Sequence, residues 1–172
     1  HRDLHTAYRR QRQMCIRDSF DVVDGVTEVV SGYTGLQMSH ASTYKSVQIA
    51  HTILPSPEKG SILIIWVSRA SKAFSSQKLG TAEVWHAIES DGTPTITRAR
   101  ILLSEKISEQ YDRGLIGRDD NIETAVMHEL VHAMGIGHST HKNSFMHTEL
   151  ANETFATSAD IAAMAFAGSR SC

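Results

Sequence analysis

The sequence predicts one α+β domain, and three observations support that prediction. The chain has 172 residues, of which 41% are apolar and 21% charged, an ordinary composition for one globular unit. Segments with helical signals lie near the start and in the last third of the chain, and short β-branched runs lie between them. The order helix, strands, helix, helix is typical of an α+β domain.

Residues 1–19 are interpreted as translated sequencing adapter and not as part of the fold. Residues 1–5 and 9–19 can be back-translated in one frame into the two fixed parts of a transposase-based library adapter, with residues 6–8 in the place of the index. The five arginines of this segment leave two biological alternatives open, a basic nucleic-acid-binding arm or an organelle transit peptide. We therefore expect residues 20–172 to form a single domain whose natural N-terminus is missing.

The charge balance argues against a nucleic-acid partner, and the hydropathy argues against a membrane-spanning helix. Without residues 1–19, the seventeen Lys and Arg and nineteen Asp and Glu of the chain become twelve and seventeen. This acidic balance argues against nucleic acid, whose binding depends on clustered Lys and Arg. The longest apolar run, Ile62–Val67, is far shorter than a membrane-spanning helix needs. Of the two cysteines, Cys15 lies in the adapter and Cys172 is terminal, so they indicate little about redox compartment.

The first half of the domain is predicted to hold one helix and two strands. From Asp21, valines recur at helical spacing until Gly32 and Gly35 end the pattern. Leu36–His40 is predicted as a short strand, and the proline-containing segment 41–60 as including a surface loop. Ile62–Val67 is a β-branched run, typical of a strand buried on both faces and central in its sheet.

The second half is predicted to add two strands and two helices. Leu79–His86 and Thr95–Leu103 are predicted strands, separated by the turn signal of residues 91–94. A second helix begins at Asn121 with acidic residues near its positive end. A third follows the capping box of residues 157–160, with Gly168 as its stop.

The second helix carries the motif His128-Glu129-Leu130-Val131-His132. Its two histidines are four residues apart, so they lie on one helix face and can bind the same ion. The carboxylate of Glu129 can reach a water on that ion without being a ligand, as a general base requires. Gly135 can end the helix with a positive φ and reverse the chain, which brings His138 back as third ligand.

Three imidazoles with one open position are typical of a catalytic zinc site, because structural sites usually have four ligands, often thiolates. With Gly135 and His138 included, the motif has five fixed positions, and such a pattern matches by chance about once in several million windows. One rival hypothesis is a helix with ordinary surface or core histidines. A catalytically silent zinc site is a stronger rival, although Glu129 is present. The remaining five histidines of the domain are predicted to be surface or packing residues: His40, His51, His86, His141 and His147.

The segment from His128 to His138 resembles the long zinc-binding consensus of the metzincins. Ser144-Phe145-Met146-His147 resembles their Met-turn. Within that clan, Ser139 after the third histidine and the eight-residue step from His138 to Met146 are similar to the matrixins. The segment from Asp160 to Gly168 resembles their closing helix.

This resemblance implies a fold, a reaction and a substrate. It implies a twisted, mostly parallel five-stranded sheet with one antiparallel edge strand, an active-site helix, a Met-turn and a C-terminal helix. It also implies a secreted zinc metalloendopeptidase with one catalytic Zn²⁺, in which Glu129 activates the zinc-bound water. A protein or peptide substrate would bind as an extended strand along the edge strand that starts at Gly80. Met146 would form an apolar floor beneath the metal, and we expect a monomer.

The sequence departs from the family pattern in three respects. Thr148 stands where astacins and serralysins have a tyrosine that can ligate zinc, so no fifth ligand is expected. The segment after Met146 lacks the proline typical of animal matrixins, which leaves the specificity pocket undefined. The His- and Asp-rich loops of animal matrixins are missing, so Ca²⁺ binding has no support. A zinc-dependent protein-binding or toxin-like module without turnover is the alternative function.

Overall fold

The structure is a computed structural model that describes residues 21–39, 54–67, 79–104, 120–148 and 156–169. These ranges contain three helices and three strands, which confirms the α+β prediction. In chain order they are α1 (21–34), β1 (Ile62–Val67), β2 (Gly80–Ile88), β3 (Pro94–Ser104), α2 (Asp120–Ala133) and α3 (Ser158–Ser169). The adapter segment, His40, His51, the predicted loop up to residue 53 and Cys172 lie outside the described residues.

The three described strands form a mixed sheet in the order β1-β3-β2. β1 runs parallel to β3, with Ile62 opposite Ala99, and β2 runs antiparallel to β3, with Gly80 opposite Leu103. The prediction that Ile62–Val67 is the central strand is wrong among these three strands, since β3 is central and most of β1 is only partly buried. An apolar run indicates covered faces, but it does not reveal which strand has neighbours on both edges.

The hairpin between β2 and β3 closes at the predicted turn. Gly92 has a φ of +85°, and the Asp91 carboxylate accepts a hydrogen bond of 2.8 Å from the Thr93 N–H. Both features are typical of turns, because glycine adopts positive φ without strain and aspartate bonds to the backbone two residues on. The register shifts between Trp85, which pairs with Arg98, and His86, which pairs with Ile96, so Thr97 is an extra residue in β3 at this point.

The hydrophobic core lies between one sheet face and the three helices. Its buried members come from every helix, from β3 and from the loop after α2: Val23, Val26, Val30, Ala99, Ile101, Leu103, Ala125, Val126, Leu130, Val131, Ala133, Phe145, Met146 and Met164. The first-helix prediction is confirmed, since Val23, Val26 and Val30 belong to this core and Val22 packs against it, whereas Val29 is exposed.

The face of β2 and β3 that carries their charged residues lies under the segment before β1. The guanidinium groups of Arg98 and Arg100 each lie 5.4 Å from the centre of the Trp85 ring. Arg100 also forms an ion pair with Glu83 and donates a 2.9 Å hydrogen bond to the Pro55 carbonyl. This cluster fixes residues 54–58 against the sheet.

Two boundary predictions are wrong. Residues 36–39, the described part of the predicted strand Leu36–His40, form no strand, and the Leu36 N–H is bonded to the Thr34 hydroxyl at the end of α1. Gly168 is not a helix stop, because α3 continues through Ser169 and Gly168 does not have a positive φ. Its small size has another use, since a Cβ at Gly168 would lie 1.9 Å from the Thr34 carbonyl oxygen. Close approach of α1 and α3 therefore requires glycine there.

No helix within the described ranges is both long and apolar enough to cross a membrane.

Candidate metal centre

Helix α2 presents two histidines of the motif to one point. His128 is buried and His132 half-buried, and their Nε2 atoms are 2.9 Å apart. The exposed His138 brings its own Nε2 to 3.1 Å from that of His132. The i, i+4 spacing on a helix explains the first pair, and the reversal of the chain after α2 explains the third member. The structure thus brings together all three predicted ligands.

Backbone carbonyls determine which nitrogen of the two helical histidines carries the proton. The Nδ1–H of His128 donates to the Phe145 carbonyl at 2.7 Å, and the Nδ1–H of His132 donates to the Ile136 carbonyl at 2.7 Å. Because a carbonyl can only accept, both neutral rings hold their proton on Nδ1 and direct the Nε2 lone pair at the shared point. Such partners orient metal ligands and raise their basicity.

The end of α2 places His138. Gly135 has a φ of +88°, its N–H donates to the His132 carbonyl at 2.9 Å, and the Ile136 N–H lies 3.4 Å from the Val131 carbonyl. This pair of bonds is the Schellman motif, in which a left-handed residue ends the helix. The predicted role of Gly135 is confirmed at the level of backbone conformation. The same reversal supplies the Ile136 carbonyl that holds His132.

Burial favours the neutral form of the first ligand. The pKa of His128 is lowered from 6.5 to about 4, chiefly by desolvation and also by the neighbouring His132 and His138, against the opposing effect of the Phe145 carbonyl. A neutral imidazole is the form that binds a metal. Above pH 4 His128 therefore needs no deprotonation before it can act as a ligand.

The three nitrogens fit a single zinc ion. Their ligand atoms all lie within 4.8 Å of one another. The separations of 2.9 and 3.1 Å are close to the roughly 3.3 Å between two ligands on tetrahedral zinc with Zn–N bonds of about 2.0–2.1 Å. Three lone pairs directed at one point repel each other unless a cation lies between them, so this arrangement favours metal binding.

The carboxylate of Glu129 lies between α2 and the start of β2. Glu129 is only 7% exposed although its side chain ends in a carboxyl group, and it directly follows His128 in sequence. A Cβ at Gly80 would lie 2.6 Å from both Cγ and Oε1 of Glu129. The predicted general base therefore lies against the first residue of the edge strand.

The turn after His138 lies next to the histidine cluster, since its Phe145 carbonyl is bonded to His128. Met146 is 1% exposed, and its carbonyl accepts a 2.8 Å hydrogen bond from the Ser139 N–H. The fully buried Ser144 hydroxyl accepts from the Met146 N–H at 3.0 Å and donates to Asp160 of α3 at 2.7 Å. Met146 is therefore buried, and its place as an apolar floor beneath a metal stays a prediction.

The same aspartate caps α3. Its second carboxylate oxygen accepts from the Thr157 N–H at 2.9 Å and from the Thr157 hydroxyl at 2.7 Å. This confirms the predicted capping box. The sequence did not predict the other half of the role of Asp160, the bond to Ser144, because nothing in the chain indicates which residue lies opposite a helix start.

Sequence reasoning missed three further contributors to the site. The Phe145 and Ile136 carbonyls carry no side-chain signal, and the contact of Gly80 with Glu129 joins residues far apart in the chain. His86 and His141 are exposed and His147 is half-buried, and none of them belongs to the metal-ligand group found among the described residues.

Comparison with known proteins gave no match to a family model, a curated protein or a solved structure.

Proposed function

We propose that this chain is a zinc-dependent metalloendopeptidase of the metzincin clan, similar to the matrixins. One observation carries the proposal: three imidazole Nε2 atoms converge at 2.9 and 3.1 Å, with a buried glutamate directly after the first ligand. Three protein ligands leave a position for water and substrate, as in catalytic sites. The absence of a fourth ligand from the group found among the described residues supports the same proposal.

In this proposal His128, His132 and His138 hold the metal and Glu129 moves the proton. When bound, zinc supplies Lewis acidity, which lowers the pKa of water and polarises a carbonyl. The Glu129 carboxylate accepts the proton of the attacking water and then delivers it to the leaving amine. Its burial keeps the carboxylate in one place, so little reorganisation is needed when the substrate binds.

The substrate in this proposal is an extended peptide that pairs with β2. Among the described strands, β2 is bonded to a neighbour along one edge only, and its first residue contacts Glu129. An added strand along the other edge would pass the site with its backbone hydrogen-bonded, which makes recognition largely independent of sequence. The same proposal includes a sheet of five strands in total. It also includes secretion of the protein.

Replacement of Glu129 by Gln tests the proposal. We expect E129Q to retain one zinc per chain and to lose cleavage of a casein-type substrate by roughly 100-fold or more, because Gln cannot accept the proton. Zinc content by atomic absorption and cleavage with and without a chelator are the measurements. E123Q is the matched control, since Glu123 is an exposed residue of the same helix, and it should cleave normally.

Two outcomes would contradict the proposal. Undiminished cleavage by E129Q would remove the assigned role of Glu129. Zinc binding by the original chain without any chelator-sensitive cleavage of a generic protein substrate would instead support the alternative, a zinc-dependent binding module.

A further inference from the structure

Gly80 and Glu129 are in closer contact than any larger residue at position 80 would allow. A Cβ built on Gly80 would lie 2.6 Å from Glu129 Cγ, 2.6 Å from Oε1 and 2.8 Å from Cδ. Carbon atoms in contact are normally about 3.5–4.0 Å apart. The collision involves the whole outer half of the Glu129 side chain, so a small rotation of the carboxylate alone does not relieve it.

The backbone at Gly80 is fixed by the sheet. The Leu79 carbonyl accepts a 2.8 Å hydrogen bond from the Ser104 N–H, and Gly80 lies opposite the fully buried Leu103 of the central strand. A shift of Gly80 away from α2 would break this pairing at the end of the ladder. The strand therefore resists movement.

The backbone of Glu129 is fixed by the core. The next two residues, Leu130 and Val131, are 3% and 1% exposed, and Val126, one turn earlier, is fully buried. Close-packed interiors yield little, so α2 cannot retreat as a body at small cost. The Glu129 side chain is the only partner of the contact with freedom to move.

We propose that Gly80 is a positioning residue for the general base: the missing side chain at the start of β2 leaves the space that holds the Glu129 carboxylate beside the metal centre. This inference rests on the proposed function of Glu129. It assigns to the edge strand a second role besides substrate pairing, because its first residue determines where the carboxylate can lie. Any side chain at position 80 would displace the carboxylate while leaving the three histidines in place.

The kinetic test is Gly80→Ala. We expect kcat to fall roughly 10- to 100-fold, since a misplacement of about 1 Å costs that much, while KM for a peptide substrate changes less than threefold. Zinc stoichiometry should remain at one, because the three atoms nearest to a Cβ at position 80 all belong to Glu129 and not to a histidine. Gly32→Ala is the control, as no atom lies within 4 Å of a Cβ there, and it should leave both constants unchanged.

A stability cycle tests the contact without any need for activity. Gly80→Ala should lower the Tm in the original chain and in the E129Q background, because Gln keeps all the colliding atoms. In the E129A background, where those atoms are absent, Gly80→Ala should leave the Tm unchanged. Melting curves of the six proteins, all loaded with zinc, provide the comparison.

The outcomes separate this inference from the proposed function. An equal Tm loss in all three backgrounds, or full kcat in Gly80→Ala, overturns the positioning role and leaves the protease proposal standing. A chain with no cleavage at all removes the protease proposal and the positioning role together. The Tm cycle would then report only that Gly80 and Glu129 are packed against each other.

Discussion

At the residue scale, the environment of His128 prepares this histidine to bind a metal. His128 is buried and donates from Nδ1 to the Phe145 carbonyl, so its Nε2 lone pair is directed at its neighbours. Burial disfavours its charged form. The protein thus holds the ring neutral and correctly oriented in the absence of metal. The same burial lowers the stability of the metal-free protein in acid.

The pKa of His128 predicts that the metal-free protein loses stability in acid. Because the folded-state pKa of about 4 lies below the unfolded value of 6.5, the unfolded chain binds more protons between those two values. Stability from this group is complete above pH 6.5 and falls as the pH drops toward 4, by at most about 1.4 kcal/mol per pH unit. Urea unfolding of the chelated protein across this window measures the slope.

His128→Asn is the comparison for this pH dependence. The asparagine NH₂ can occupy the position of Nδ1 and keep the bond to Phe145, but it does not titrate. The variant should show a shallower slope between pH 6.5 and 4. Identical slopes in the two proteins would contradict the assignment, as would an NMR titration that places the pKa of His128 near 6.5.

At the element scale, the end of α2 places His138, the third candidate ligand, and orients His132, the second. Gly135 reverses the chain in the left-handed conformation, and the next residue supplies the carbonyl that holds His132. One backbone conformation therefore serves two ligands. The hairpin glycine Gly92 has nearly the same φ, +85° against +88° for Gly135, but lies in the β2–β3 turn.

Gly135→Ala is predicted to weaken zinc binding, and Gly92→Ala is its matched control. Both variants should lose roughly 1–2 kcal/mol of folding stability, because alanine is strained at positive φ. Only Gly135→Ala should also lower zinc affinity, by roughly tenfold or more, since it disturbs the carbonyl that orients His132. Chelator competition measures the zinc affinity. An equal loss of zinc affinity in both variants would show that the effect is not local to the site.

Sequence alone predicted the elements that carry local signals. The β2–β3 hairpin, the helix with the zinc motif and the capping box before α3 all agree with the structure. The strand predicted at Leu36–His40 is absent from residues 36–39, because a strand requires a pairing partner and no local pattern guarantees one. Gly168 was misread for a similar reason, since glycine serves both helix ends and close helix contacts.

At the scale of the whole molecule, α3 contacts both the first helix and the turn beside the candidate metal centre. Near its start, Asp160 bonds to Ser144 in the turn whose next residue holds His128. Near its end, Gly168 packs against Thr34 at the end of α1. The sequence could place each of these residues in an element, but not opposite its partner. Such pairings depend on tertiary packing between distant parts of the chain.

Gly168→Ala is predicted to destabilise the whole domain, whereas Gly25→Ala is not. The added Cβ at position 168 would lie 1.9 Å from the oxygen and 2.7 Å from the carbon of the Thr34 carbonyl, and these are backbone atoms that cannot rotate away. We expect a loss of roughly 1–3 kcal/mol or more as α3 is pushed off α1, equivalent to a Tm decrease of about 2–12 °C. Gly25 is also helical but has no atom within 4 Å of a Cβ.

Gly25→Ala should therefore increase the free energy of unfolding by about 0.5–1 kcal/mol, because alanine favours the helix. Calorimetric melting of both variants distinguishes packing from propensity, because helix propensity alone would stabilise both. A stabilised Gly168→Ala would mean that α1 and α3 are farther apart than the contact at Thr34 requires. In that case α3 would contact the turn beside the histidines through Asp160, but it would not be packed closely against α1.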